Sequence, residues 1–216
     1  MKNLNDDGDE PEEKSLTTSS LIAFIFAFII VELYFISPMY FIFKYNRKFI
    51  QKKHIPFLQI FLNLLNCSTY VVIALTGPGD FQNLITNIIG TILCLIVIIQ
   101  LYISLSNHKS SKNILLYFYL IFNTIFQIYY FLYKYLPDSY EFLTIIINIS
   151  MYLSLNIGTY YAFKENKPDR IPILSAILGL LSSIGWTVYS ACLEKEFDTI
   201  TLYSNISSFL VIIFTK

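Results

Sequence analysis

Two asparagines inside hydrophobic runs are the residues of this sequence most clearly suited to binding a ligand. Asn87 and Asn205 each lie in a long apolar stretch, where an amide must place its N–H donors and its carbonyl acceptor against protein or water rather than lipid. Two aromatic residues, Tyr70 and Trp186, occupy neighbouring stretches. Amides that donate and accept, together with aromatic faces for C–H surfaces, suit a neutral polyhydroxyl ligand. The expected chemistry is therefore reversible binding.

These residues recur along the chain at a nearly constant offset. The matched pairs are Pro56 with Pro172 and Tyr70 with Trp186 at 116 positions, Ser37-Pro38 with Ser154-Leu155 at 117, and Asn87 with Asn205 at 118. Asn66 lies four residues before Tyr70, and Ser182 lies four before Trp186, which places each pair on one helix face. The pattern predicts two copies of a three-helix unit.

The elements that carry these residues are predicted membrane spans. The 216 residues are 55% hydrophobic and 14% charged, against roughly 25% charged in an average soluble domain, and the mean hydropathy is +0.57. Long apolar runs predict an all-α membrane protein with seven transmembrane helices. The predicted spans are 20–43, 55–75, 81–105, 114–134, 142–163, 171–192 and 198–215.

The repeat divides the chain into four parts. These are an acidic disordered tail at 1–19, a first triple-helix bundle at 20–105, a linker helix with its loops at 106–141, and a second triple-helix bundle at 142–216. One helix between the bundles gives both the same orientation, a 3+1+3 arrangement of parallel repeats. The tail lacks the basic region of a cleaved signal peptide.

Basic residues gather in the loops after predicted spans 1, 3 and 5. By the positive-inside rule, this distribution places the N-terminus outside the cell or in a lumen and the C-terminus in the cytosol. We expect a multi-pass integral membrane protein of the plasma membrane or an endomembrane.

The remaining reactive side chains do not form a catalytic or metal-binding pattern. Cys67, Cys94 and Cys192 all fall within predicted spans, where small buried thiols are common and no disulfide is implied. His54 and His108 lie in separate loops, without the spacing of metal ligands. We therefore expect no enzyme activity, metal or cofactor.

Three residues of the first repeat carry further predictions, and one of them has two interpretations. Glu32 is the only acidic residue well inside a predicted span, since Asp198 stands at the very start of the seventh. Glu32 is either a protonated, hydrogen-bonded side chain or a group that couples transport to protons or contacts the substrate. Pro38 predicts a kink in the first helix. Gly90 predicts the close approach of another helix.

In their order along the chain, these motifs resemble those of the SWEET family of sugar transporters, relatives of the PQ-loop proteins. The resemblance covers about residues 24–213. The matching residues are Ile36-Ser37-Pro38 in the first helix, Asn87 in the third, Asn148, Met151, Tyr152 and Ser154 in the fifth, Pro172, Trp186 and Tyr189 in the sixth, and Asn205 in the seventh.

The resemblance implies two bundles around a central sugar pocket. The implied pocket residues are Asn66, Tyr70, Asn87, Ser182, Trp186 and Asn205. The implied hinge positions are Pro38, Pro56, Pro172 and Leu155, which stands where the family has its fourth proline. Asp198 matches an acid at the family's external gate. Tyr70 replaces the usual second Trp, so the preferred sugar can differ.

The sequence therefore predicts facilitative uniport of a mono- or disaccharide by alternating access. The expected partners are a small neutral sugar and the lipid bilayer, with a homo-oligomer left open and no nucleic acid. Two alternatives share the fold. A PQ-loop amino-acid exporter is disfavoured because Pro56 and Pro172 are followed by Phe57 and Ile173 rather than Gln. A cargo receptor similar to the KDEL receptor is disfavoured because no Lys or Arg lies well inside a predicted span.

Overall fold

A computed structural model describes residues 17–44, 57–76, 81–104, 121, 124–132, 134–135, 137–166, 171–193, 206, 210 and 213. The described residues are helical apart from short turns, and they include no strand. Residues 1–16 of the predicted tail lie outside the described residues, as do Pro56, Asp198 and Asn205 and the two histidines.

Six helices are described from end to end. They are α1 (Thr18–Ile36), α2 (Pro38–Lys44), α3 (Phe57–Thr76), α4 (Phe81–Ser104), α5 (Pro137–Lys164) and α6 (Ile173–Cys192). Five helical stretches in the described residues are long and apolar enough to cross a membrane, as expected of a multi-pass integral membrane protein. The fourth and seventh predicted spans are described only in part, so the number seven stays a prediction.

The first span begins with a side-chain cap and is interrupted near its end. The hydroxyl of Thr17 accepts a hydrogen bond from the backbone N–H of Ser20 at 3.2 Å, which satisfies one of the free donors of the first turn. Ser37 is a turn between α1 and α2, and Pro38 cannot donate to the carbonyl of Tyr34. That carbonyl instead accepts from the backbone N–H of Ser37 at 3.1 Å and from its hydroxyl at 2.7 Å.

The equivalent point of the second repeat is not interrupted. Helix α5 runs from Pro137 to Lys164 through Leu155, because leucine keeps the N–H that proline lacks. The hydroxyl of Ser154 donates to the carbonyl of Met151 at 2.6 Å, the same bond to the residue three positions earlier that Ser37 makes. Helix α5 begins at Pro137, with proline at a first-turn position that needs no N–H donor. Its apolar span begins at Phe142, where the fifth span was predicted to begin.

Two cross-repeat pairings organise the helices. Helix α1 packs most extensively on α6 and also on α4, while α3 packs on α4 and on α5. In the sequence repeat, α1 corresponds to α5 and α3 to α6, so the α1–α6 and α3–α5 pairings are equivalent. The absence of a side chain at Gly185 allows the α1–α6 pairing to be close. A Cβ at this position would lie 2.9 Å from the Cα of Ala27.

The core and the outer surface are both apolar. One buried cluster joins α1, α3, α4, α5 and α6 through residues that include Tyr34, Phe35, Cys67 and Met151. Large hydrophobic side chains such as Ile22, Phe43 and Leu75 are exposed on the outside. Such a surface is typical of helices that contact lipid rather than water.

Candidate functional site

A cavity of about 210 Å³ lies among helices α1, α3, α4, α5 and α6. Among the described residues, its wall contains amides, hydroxyls and aromatic rings, and none of those side chains is charged at neutral pH. The described lining residues are Val31, Phe35, Asn66, Tyr70, Asn83, Thr86, Asn87, Asn148, Met151, Tyr152, Ser183, Trp186, Thr187 and Ser190.

The structure brings four of the six predicted pocket residues together in this wall. Asn66 and Tyr70 come from α3, Asn87 from α4 and Trp186 from α6. Asn205 lies outside the described residues. The sixth residue, Ser182, is fully buried without a hydrogen-bond partner among the described residues and is not part of the wall.

Helix α4 positions the Asn87 amide through its own backbone. The Nδ2 of Asn87 donates to the carbonyl of Asn83 at 2.8 Å, and Asn83, one turn earlier, also lines the cavity. The bond uses one N–H of the Asn87 amide and fixes the orientation of that amide. The amides of Asn83 and Asn87 therefore both lie at the cavity on one face of α4. On α3, the Oδ1 of Asn66 has no hydrogen-bond partner among the described residues.

Aromatic contacts fix the orientation of Trp186. Its ring lies 5.6 Å from that of Tyr189 at an interplanar angle of 78° and 6.3 Å from that of Phe24 at 65°. Edge-to-face contacts of this kind are favourable arrangements of aromatic pairs. Because Tyr189 follows Trp186 by three residues, both rings lie on the same side of α6. The Trp186 ring is therefore held as part of the cavity wall.

Gly90 makes room for an aromatic side chain of the wall. A Cβ at this position would lie 2.6 Å from the Cε2 atom of Phe35 and 2.8 Å from the Sγ atom of Cys67. The predicted close approach at Gly90 is therefore to the Phe35 ring of α1 and to Cys67 of α3. The missing side chain lets Phe35 pack against α4 while it also lines the cavity.

Glu32 lies behind the cavity wall. Its neighbour Val31 lines the cavity, whereas Glu32 is 9% exposed and close to Cys67. Neither carboxyl oxygen has a hydrogen-bond partner among the described residues. The structure therefore does not provide the hydrogen bond expected for a structural glutamic acid within those residues, and it does not place the carboxyl in the wall.

Two of the predicted hinge prolines lie close to an inter-helix hydrogen bond. Pro38 begins α2, and Pro172 is the N-terminal cap residue of α6. Their neighbours Ser37 and Ser175 join α1 to α6 through a hydroxyl pair 2.6 Å apart. Leu155 lies in an uninterrupted helix, so it does not reproduce the break at Pro38.

The structure adds cavity residues that the sequence analysis did not assign to the pocket. Asn83 could have been found from its spacing of four residues before Asn87. Asn148 was noted only as part of a motif, and its repeat equivalent at an offset of 117 is the apolar Val31. Ser183 lines the cavity in place of its neighbour Ser182.

No cluster of three or more His, Cys, Asp or Glu side chains that could hold a metal occurs in the described part of the chain. No protein-family model matches this sequence. No curated protein matches it either.

Proposed function

We propose that the protein is a facilitative carrier that moves a mono- or disaccharide across a membrane by alternating access. The observation that carries this proposal is the wall of the cavity. Four asparagine amides, four aliphatic hydroxyls and several aromatic rings surround it, without a charged side chain among the described lining residues. A neutral ligand rich in hydroxyl groups matches such a wall, because each amide and hydroxyl can both donate and accept.

The aromatic part of the wall suits the less polar faces of a sugar ring. The aromatic rings of Tyr70 and Trp186 would face the C–H surface of the sugar ring.

The helix pairings support a carrier with two halves. The α1–α6 and α3–α5 pairings are equivalent under the sequence repeat, as expected if two three-helix bundles face each other around a pseudo-twofold axis along the membrane normal. The cavity draws its wall from both repeats. Rocking one bundle against the other would open the cavity to each side in turn. In this proposal the arrangement is 3+1+3, with the N-terminus outside or lumenal.

The alternatives have charged ligands, and none of the described lining side chains is charged at neutral pH. A zwitterionic amino acid or a peptide carboxylate is best matched by charged side chains, such as Arg for a carboxylate. Glu32 follows the lining residue Val31 in the chain, but it is not among the described lining residues. A neutral sugar requires no such counterpart.

Counterflow in proteoliposomes tests the proposal. Vesicles that contain the purified protein are loaded with unlabelled glucose, and entry of radiolabelled glucose is measured for wild type, Asn87→Ala and Asn205→Ala. The neighbours Ile88 and Ile206, 41% and 37% exposed, provide matched controls as Ile88→Ala and Ile206→Ala. We expect exchange by wild type and both controls and loss of exchange in both asparagine variants. Absence of glucose and sucrose exchange by a monodisperse wild-type protein would refute the proposal.

A further inference from the structure

Three amide side chains form a stripe along one face of α3. Gln59, Asn63 and Asn66 are separated by four and three residues, and Tyr70 follows after another four, which is the spacing of a single helix face. Asn66 and Tyr70 line the cavity. The α3 amide stripe, defined as Gln59, Asn63 and Asn66, therefore leads from the cavity toward the end of α3 that begins at Phe57.

The part of the stripe beyond the cavity is buried without partners. Gln59 is 2% exposed and Asn63 is 0% exposed. Within the described residues, the nitrogen and oxygen atoms of both amides form no hydrogen bond. The Gln59 side chain lies near the Tyr34 hydroxyl, but the two groups lack regular hydrogen-bond geometry. Buried amides in this condition are unfavourable and call for an explanation.

Side chains of α1 and α5 form a buried cluster on the same side of the cavity. Tyr34, Tyr152 and Leu155 belong to this cluster, and the rings of Tyr34 and Tyr152 are 5.8 Å apart. Tyr152 also lines the cavity, so the cluster extends from the cavity wall to Tyr34 beside Gln59.

The second repeat has no equivalent stripe. At an offset of 116, the residues that correspond to Gln59 and Asn63 are Ser175 and Gly179. The hydroxyl of Ser175 is already paired with that of Ser37 at 2.6 Å. Small residues at these positions suit the close packing of α6 on α1. The unpartnered amides are therefore a property of α3 and not of the repeated unit.

We propose that Gln59 and Asn63 line the path by which the ligand leaves the cavity toward the start of α3. In the state described here this path is closed. In the open state, the two amides exchange hydrogen bonds with a polyhydroxyl ligand and its water. The inference rests on the proposed function, because it requires a carrier with a second, open state.

Thiol labelling tests the path. Single cysteines replace Gln59, Asn63 or the repeat equivalent Ser175, in a protein whose three native cysteines are alanine and which is held in nanodiscs that leave both faces accessible. The probe is 2-sulfonatoethyl methanethiosulfonate, a small charged reagent. We expect labelling at positions 59 and 63, a change in its rate at saturating glucose, and protection at position 175. No labelling at 59 and 63, or equal labelling at 175, would overturn the inference.

Asn63→Leu in the otherwise native chain provides a second test that needs no cysteine background. Replacing an unpartnered buried amide by an apolar side chain of similar size stabilises the closed state. We expect an unchanged or higher unfolding midpoint and a several-fold slower glucose exchange. A lower midpoint would show that the amide has a partner in the closed state and would overturn the inference. Labelling without any sugar exchange would leave the path standing and refute the sugar proposal, and exchange without labelling would do the reverse.

Discussion

Replacing Leu155 with proline tests how the two repeats differ at their helix break. In the first repeat, the hydroxyl of Ser37 bonds the carbonyl that Pro38 leaves without its usual N–H donor. In the second, the hydroxyl of Ser154 already donates to the equivalent carbonyl of Met151 at 2.6 Å. The second repeat therefore holds a partner in place for the carbonyl that a proline at position 155 would leave without its N–H. We expect this partner to reduce the destabilisation.

The magnitude follows from two contributions. Proline costs about 3 kcal/mol relative to alanine in a helix interior, and a hydrogen bond contributes about 1 kcal/mol. Leu155 is 2% exposed in the core, so loss of its side chain has its own cost, and Leu155→Ala is the proper reference. The difference between Leu155→Pro and Leu155→Ala should be about 2 kcal/mol with Ser154 present. It should rise to about 3 kcal/mol when Ser154→Ala is added.

A double-mutant cycle measures this coupling. The free energy of unfolding is determined for the alanine and proline variants at position 155, each with serine or alanine at position 154, by titration of the purified protein with sodium dodecyl sulfate in mixed micelles. We expect a coupling free energy of about 1 kcal/mol between the two positions. A coupling near zero, with the full proline cost in both backgrounds, would refute the role given to the Ser154 hydroxyl.

Three further predictions concern helix packing, the cavity wall and proton coupling. Gly185→Ala should lower the free energy of unfolding by about 1–3 kcal/mol. Adding Ala27→Gly should restore only part of that loss, because the new Cβ still lies 2.9 Å from the backbone Cα at position 27. Full restoration would contradict this account. Asn148→Val, which introduces the side chain of its repeat equivalent Val31, should raise the half-saturation concentration of glucose exchange about tenfold, and an unchanged value would remove Asn148 from the ligand contacts. Glu32→Gln should retain glucose exchange, and a pH gradient should not drive accumulation by the wild type; accumulation that the variant loses would show proton coupling.

The apolar runs allowed five of the seven predicted spans to be matched to described helices, because bilayer thickness sets helix length. Two helices begin before the spans that were predicted for them. Thr17 caps α1, which begins at Thr18 rather than at residue 20, and α5 begins at Pro137, before the apolar span that starts at Phe142 as predicted. Both differences arise from capping chemistry at helix starts, which a hydropathy pattern does not contain.

The repeat singled out four of the fourteen described residues that line the cavity. It pointed to Asn66, Tyr70, Asn87 and Trp186. It could not reveal Asn148, because symmetry arguments find only residues that are alike in both copies. Ser183 lines the cavity in the place predicted for Ser182. Which of the two faces the cavity depends on the rotation of α6 about its axis. Packing against α1 determines that rotation, and the sequence spacing does not.

The position of Trp186 allows the most direct test of the claim that the cavity binds sugar. It is the single tryptophan of the chain, and it lines the cavity, so its fluorescence reports on this site alone. Titration of the purified protein with glucose should change the emission saturably, and Asn87→Ala should raise the dissociation constant about tenfold, the equivalent of about 1.4 kcal/mol. An emission that does not respond to glucose, or a dissociation constant that Asn87→Ala leaves unchanged, would contradict the account.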